Sequence, residues 1–283
     1  MALDMPRKKQ PQPQPPLARI RVGIGGWNFA PWRETFYPAG TPQSRELEYA
    51  SRQLTSIEIN GTFYRLQSAA VFRKWRDATP DGFVFSVKAP RFVVQRKDLA
   101  SAGPAVERFL SSGITELGPK LGPILWQLAP GKRFHAAELA AFLALLPASA
   151  GPLPLRHALE IRDASFMNQE FLEIARKRGV AVVLVDDAVF PLCADLTANF
   201  VYARLRRCSA GVKTGYSLVA LKRWARRAGT WARGELPQDL PRIAAKAAKS
   251  AVSRDVFLYF INGAKERAPA AAQKLLALLD DSP

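Results

Sequence analysis

Two glutamates stand where a folding chain ordinarily puts aliphatic side chains: Glu58 between Ile57 and Ile59, and Glu160 between Leu159 and Ile161. Side chains on a strand alternate between its faces, so in the run SIEIN the isoleucines share one surface while Ser56, Glu58 and Asn60 share the other. A carboxylate among aliphatic neighbours is costly to bury unless it is paired, hydrogen-bonded or used in chemistry. Polar side chains recur near the ends of other strand-like runs, as Lys88, Gln127, Arg162, Asp186, Arg204, Arg206 and Asn262. In such a set Glu58 and Glu160 are candidate acid–base catalysts. Lys88, Arg162 and Arg204 are candidate clamps for an anionic substrate, because a guanidinium holds carboxylate or phosphate by two parallel hydrogen bonds. Two glutamates also admit a glycosidase-like acid and nucleophile, with the carboxylate separation left open. The plainer alternative is an ion-pair lattice in which Glu58, Glu160 and Asp186 are neutralised by Lys88, Arg162 and Arg204.

For these side chains to converge, the strands that carry them must be neighbours. Eight runs have strand character, at residues 21–25, 56–60, 83–88, 123–128, 158–162, 181–186, 201–206 and 256–261. Helical patterns lie at 44–54, 69–78, 104–111, 136–146, 169–178 and 218–227, and at 269–279 after the last strand. Asn168 is the expected N-cap of the helix at 169–178, with Gly179 just past its end. The interval 187–200 is short and interrupted by Pro191, so its helix is expected to be weak or missing. This alternation over residues 19–283 predicts an α/β fold, a parallel eight-stranded (β/α)8 TIM barrel in a single domain. Its site belongs at the C-terminal strand ends. An open, doubly wound sheet fits less well, since no Gly-x-Gly-x-x-Gly follows the first strand. Residues 1–18, rich in Pro and Gln, read as a disordered tail.

Composition narrows the classes further. The chain is 48% hydrophobic and 23% charged, the balance of a globular protein. No apolar run reaches membrane-spanning length and no secretory leader is visible, so a cytoplasmic location away from membranes is expected. Cys193 and Cys208 lack metal-site spacing and only His135 and His157 are at hand to join them, so neither a metal nor another cofactor is expected. The formal net charge is +17, and thirteen basic residues fall between 200 and 254 against two acidic ones. That segment supports a second reading, a noncatalytic nucleic-acid-binding barrel in which Arg206, Arg207, Lys213, Lys222, Arg223, Arg226 and Arg227 meet phosphates. A solvated helix face is the simpler explanation. Aromatic residues gather after the first two strands, Trp27, Phe29, Trp32, Phe36 and Tyr37, then Phe63 and Tyr64, interleaved with Arg33 and Arg65. They form either a packed plug or a stacking platform for a planar ligand.

Six segments in order, GGWNFAPWRETFYP from Gly25, EINGTFYR from Glu58, VKAPR from Val87, GPILWQLAP from Gly122, LEIRDASF from Leu159 and NGAKERAP from Asn262, resemble the YecE-like family, also known as domain of unknown function 72. The resemblance runs from about Ile20 to Leu279. It implies a TIM barrel distantly similar to the xylose isomerase and endonuclease IV types, without an established activity. It points to Trp27, Glu58, Asn60, Tyr64, Arg65, Lys88, Gln127, Glu160 and Arg162 as the cleft. Three histidines typical of the family are replaced here by Gln95, Asp163 and Arg206, and an Asn-Asn-Asp run is reduced to Ile261-Asn262-Gly263. The resemblance with these departures implies a chain without the family's titrating imidazoles and without a trinuclear zinc site, either a metal-independent enzyme of hydrolase or lyase type acting on a small anionic or phosphorylated substrate, or an inactive paralogue.

Overall fold

A computed structural model describes residues 19–244 and 253–280. The strands are β1 (Ile20–Gly25), β2 (Ser56–Ile59), β3 (Val84–Lys88), β4 (Leu121–Gln127), β5 (Ser149–Ala150), β6 (Leu153–Pro154), β7 (His157–Glu160), β8 (Ala181–Val182), β9 (Leu184–Asp186), β10 (Phe200–Leu205) and β11 (Asp255–Phe260). Apart from the small antiparallel ribbon β5–β6, all join one parallel sheet in the order β8-β7-β4-β3-β2-β1-β11-β10-β9. Its two ends are halves of a single extended segment interrupted at Val183, whose N–H donates to the Leu159 carbonyl at 2.9 Å. β8 pairs with β7 and β9 with β10, so the sheet closes into the predicted eight-stranded barrel.

The alternation seen in the sequence sorts the strands' side chains into two layers. Outward residues such as Ile57, Val87, Trp126 and Leu159 pack under the helices. Inward residues such as Leu125, Val185, Tyr202, Phe257 and Tyr259 fill the barrel. Gly23 faces the barrel interior on β1, and a Cβ there would lie 1.9 Å from the Ser56 carbonyl oxygen, so the close approach of β1 to β2 requires glycine. The helices are α1 (Glu46–Gln53), α2 (Ala69–Asp77), α3 (Arg91–Val94), α4 (Gly103–Leu110), α5 (Ala136–Ala144), α6 (Gln169–Lys177), α7 (Leu218–Ala232) and α8 (Ala268–Asp280). Asn168 caps α6 as expected, its side-chain oxygen accepting from the Phe171 N–H at 2.9 Å.

Two departures from the expected helices are physical. α7 continues five residues beyond the expected end at 227, because Ala228 and Trp231 bury against the core and offset the helix-weakening Gly229. The single turn α3 was not expected; it carries Gln95 to the top of the barrel. No helix bridges Asp187 and Phe200, as Pro191 implied. The tail at 1–18, and Lys246 and Lys249 of the basic segment, lie outside the described residues. No helix among the described residues is long and apolar enough to cross a membrane.

Candidate functional site

Near the C-terminal end of β10 the alternation turns Arg204 into the barrel, where it is 2% exposed. Its guanidinium grips Glu58 with two prongs, Nε to Oε2 at 3.1 Å and Nη2 to Oε1 at 3.0 Å. Nη1 donates to the Gln127 Oε1 at 3.1 Å and to the Glu160 carboxylate. The Tyr202 hydroxyl donates to Glu58 Oε2 at 2.7 Å, and Arg162 Nε to Glu160 Oε1 at 2.9 Å. Both glutamates are 0% exposed. Burial works against ionising Glu160, but the adjacent Arg204 and Arg162 guanidinium groups outweigh it and hold its carboxyl below the usual range. Burial likewise opposes the charge on Arg204, and Glu160 and Glu58 override it and raise its pKa. A second hydrogen-bonded layer lies on the inner face beneath, where the Tyr259 hydroxyl meets Ser56 Oγ at 2.7 Å and Ser86 Oγ at 2.6 Å.

Above this floor opens a cavity of about 460 Å³. Five cationic side chains reach it, Lys88, Arg162, Arg204, Arg206 and Lys265, together with the amides Asn60, Gln95, Gln127 and Asn262. No carboxylate is among its described lining residues. Arg206 Nε pairs with Asp187 Oδ2 at 2.7 Å, while its Nη1 is buried without a partner among the described residues. Phe190 offers its ring to two guanidinium groups, with Arg162 Cζ at 4.5 Å and Arg206 Cζ at 5.1 Å from its centroid. Lys265 Nζ stands 4.3 Å from the Phe29 ring centroid, and burial lowers its pKa. Lys88 Nζ stands 3.9 Å from the Phe63 centroid; burial and the neighbouring Arg204 charge press its pKa down to about 8. Asn262, at φ 64°, is the one non-glycine residue with positive φ among the described residues, a conformation asparagine tolerates better than most. Other depressions, such as one of about 370 Å³ between Ala39 and Arg52, lie away from the inward strand ends.

Of the residues expected at the mouth, Asn60, Tyr64, Lys88, Gln127, Arg162, Arg204, Arg206 and Asn262 meet around this one cavity. The others do not. Glu58 and Glu160 lie beneath it, each oxygen already accepting from a neighbour. Trp27 packs edge-on against Trp75 at 5.1 Å and Phe85 at 6.3 Å, in the helix-facing layer. Arg65 is exposed beyond the cavity wall. Asp186 points the opposite way from the expectation: Val185 takes the inward position, so Asp186 faces outward and accepts from the Tyr216 hydroxyl at 3.1 Å. The nucleic-acid candidates also divide. Arg206 is at the mouth and Arg227 is buried against Asp239, with Nη2 to Oδ2 at 3.0 Å. Arg207, Lys213, Lys222, Arg223 and Arg226 remain exposed.

The sequence reading did not single out Lys265 or Phe190 as site residues. Lys265 was signalled by its place in the last shared segment, just past β11; Phe190 carried no local signal. Of the three positions where histidine is replaced, Gln95 and Arg206 line the cavity, while Asp163 caps a turn by accepting from the Ser165 N–H at 2.9 Å. Both histidines have structural partners. His157 Nδ1 accepts from Trp126 Nε1 at 3.1 Å and its Nε2 meets the Pro147 carbonyl at 2.8 Å, while His135 caps α5. Among the described residues no group of three or more His, Cys, Asp or Glu side chains is arranged to hold a metal ion.

Fold and site together define a parallel TIM barrel with a cationic mouth over a neutralised polar floor. The family described as "Protein of unknown function DUF72" matches residues 21–283, and the chain belongs to it. Its curated relatives include YunF of Bacillus subtilis, 27% identical over 159 residues that make up 54% of each chain. YecE of Escherichia coli is 26% identical over 172 residues, 59% of each. The chain thus spans little more than half the length of the curated relatives it matches. A solved DUF72 family protein from Thermotoga maritima superposes with a TM-score of 0.71 at 22% identity, covering 93% of this chain and 99% of that one, which shows a shared fold.

Proposed function

We propose that the barrel mouth binds a small anionic substrate, phosphorylated or carboxylated, and acts on it by proton transfer in a reaction of hydrolase or lyase type that needs no metal. One observation carries this reading: five cations border a single cavity from which every described carboxylate is withheld. A buried cation normally finds an acidic partner. Here the acids nearest the mouth, Glu58, Glu160 and Asp187, are engaged by Arg204, Arg162 and Arg206, which leaves Lys88 and Lys265 without an acidic partner among the described residues and the mouth with excess positive charge. Arg162 and Arg206, held against Phe190, are the anion clamps, and Lys88 is the group able to exchange a proton near neutral pH. Glu58 and Glu160 serve as supports that aim Arg204, because every oxygen of the two carboxylates already accepts a hydrogen bond from a neighbour and none is left to take a proton from a substrate.

The test is a thermal-shift series with inorganic phosphate and a panel of phosphorylated and carboxylated metabolites. A ligand that binds only the native state raises the melting temperature with concentration. Wild-type protein should be stabilised, and Arg162→Met with Arg206→Met should weaken binding roughly tenfold or more, about 1.4 kcal/mol. Equal stabilisation of wild type and double variant would remove the clamps from the proposal.

The exposed face of α7, with Lys222, Arg223 and Arg226 beside exposed Leu218 and Val219, supports polyanion binding as a second reading. Salt separates the two. A protein covering several phosphates loses on the order of 1,000-fold in affinity between 50 and 200 mM salt. A pocket for one anion should lose less than about tenfold.

A further inference from the structure

Among the buried lysines, two have the same exposure and opposite surroundings. Lys120 and Lys88 are both 8% exposed. Lys120 Nζ uses its donors fully, reaching the Arg76 carbonyl at 2.7 Å, the Thr79 carbonyl at 2.6 Å and Thr79 Oγ1 at 3.2 Å, as a lysine built to hold a fold should. Lys88 Nζ makes neither a hydrogen bond nor an ion pair with any described residue, and its stem ends over the Phe63 ring at the cavity wall. Its backbone is nonetheless held firmly, because Thr62 Oγ1 donates to the Lys88 carbonyl at 2.7 Å. An ammonium largely withdrawn from water, set against an aromatic ring with no polar partner and aimed into a cavity, is costly as a structural element, and reactive lysines are made in this way.

We infer that Lys88 is the nucleophile for covalent catalysis, forming an imine with the carbonyl carbon of a small carbonyl compound whose carboxylate or phosphate is held by Arg162 and Arg206. This rests on the reading of the mouth as an anion site and adds the reacting atom and the substrate's functional group. The uncharged Lys88 amine attacks the carbonyl carbon, a C–N bond forms, and the carbonyl π electrons move to oxygen, which takes a proton. The nitrogen then gives up a proton, the protonated hydroxyl leaves as water, and the nitrogen lone pair closes the C=N bond. Amine plus carbonyl gives imine plus one water, with no oxidant or reductant consumed. Burial and the Arg204 charge bring the pKa of Lys88 to about 8, so that about a tenth of the amine is uncharged at pH 7, far more than for an ordinary lysine. The groups facing Lys88 are Arg204, Glu58, Glu160 and Arg162; the two acids favour the ammonium but are paired elsewhere, and burial with the Arg204 charge outweighs them. The cationic imine that follows withdraws electrons from the adjacent carbon, which suits carbon–carbon or carbon–oxygen bond cleavage of lyase type.

The experiment treats the full chain with pyridoxal 5′-phosphate, an aldehyde bearing a phosphate, followed by borohydride and peptide mapping. Lys88 should be labelled on the order of 10-fold faster than any other lysine, Lys120 included, given its larger fraction of free amine at pH 7. Inorganic phosphate should slow that labelling, and Lys88→Met should abolish it. Lys88→Arg, which keeps the charge but forms no imine, serves if the methionine variant folds poorly. Parallel arms with pyruvate and with glyceraldehyde 3-phosphate under cyanoborohydride report which anion the site prefers, by which adduct mass appears at Lys88. Labelling spread over surface lysines, with Lys88 no faster than the rest, overturns the imine. Should phosphate stabilise the protein while Lys88 stays unlabelled, the imine falls and the anion site stands. With neither stabilisation nor labelling, both fall. Labelling at Lys88 that phosphate leaves untouched keeps the imine and discards the clamps.

Discussion

The floor and the wall of the barrel mouth are made from the same kinds of residue and are in opposite states. In the floor, Arg204, Glu58, Glu160, Gln127 and Tyr202 close a network in which both carboxylates are fully engaged. In the wall, Lys88 has no polar partner among the described residues and Arg206 keeps a buried, unpartnered Nη1. Charge type alone does not separate structural from functional groups; the completeness of their pairing does. A saturated buried ion network fixes geometry and has little left to give a ligand. An unsaturated cation over a cavity keeps its desolvation cost in the free protein and recovers it when an anion arrives.

Substitutions in the floor, the wall and the outer basic face should differ in size and in sign. The largest effect is expected for Arg204→Met, which strands two buried carboxylates and should cost about 3–5 kcal/mol in urea unfolding. A loss under about 1 kcal/mol would show that the floor is not the closed network described. Lys88→Met should do the reverse and raise stability at neutral pH, by roughly 1–3 kcal/mol. The sign follows from proton linkage. The folded pKa lies below the unfolded one, so between pH about 8 and 10.5 the unfolded chain binds more protons, and wild-type stability rises with pH across that window. Below it the cost is fully present. Wild type and Lys88→Met should therefore converge as pH approaches 10.5, and urea midpoints that stay parallel from pH 7 to 10.5 would contradict the depressed pKa. The smallest expected change is in the outer basic face. Lys222→Gln with Arg226→Gln, on exposed positions of α7, should shift stability by less than about 0.5 kcal/mol and leave phosphate binding intact. Loss of phosphate binding in that variant would move the anion site out of the barrel.

Much of the architecture was legible in the sequence because burial on two faces writes itself into strands as short apolar runs with inward polar interruptions. All eight barrel strands lie within two residues of the expected bounds, although the sixth is broken at Val183. Strand parity was less secure. A shift of one residue at the short β9 put Asp186 outside the barrel, because a three-residue strand offers too few alternating positions to anchor its phase. The convergence of Lys88, Gln127, Arg162 and Arg204 followed from the fold once the faces were assigned. Their pairing did not, since whether Arg204 reaches Glu58, Glu160 or both depends on side-chain reach across a closed cylinder. The sequence pointed to Glu58 and Glu160 because of their apolar neighbours, and that cue reports burial, which a support and a catalyst share. Phe190 escaped notice because its contacts with Arg162 and Arg206 come from an irregular loop whose path no periodicity encodes.

A crystal structure of the protein soaked in tungstate, a heavy tetrahedral anion, shows whether the barrel mouth is an anion site. The expected result is anomalous density inside the barrel mouth within hydrogen-bonding reach of Arg162 and Arg206, above an Arg204 still clasped by Glu58 and Glu160. Tungstate bound only along the outer face of α7, with the mouth empty, would mean that the unpaired cations of the wall do not form an anion site.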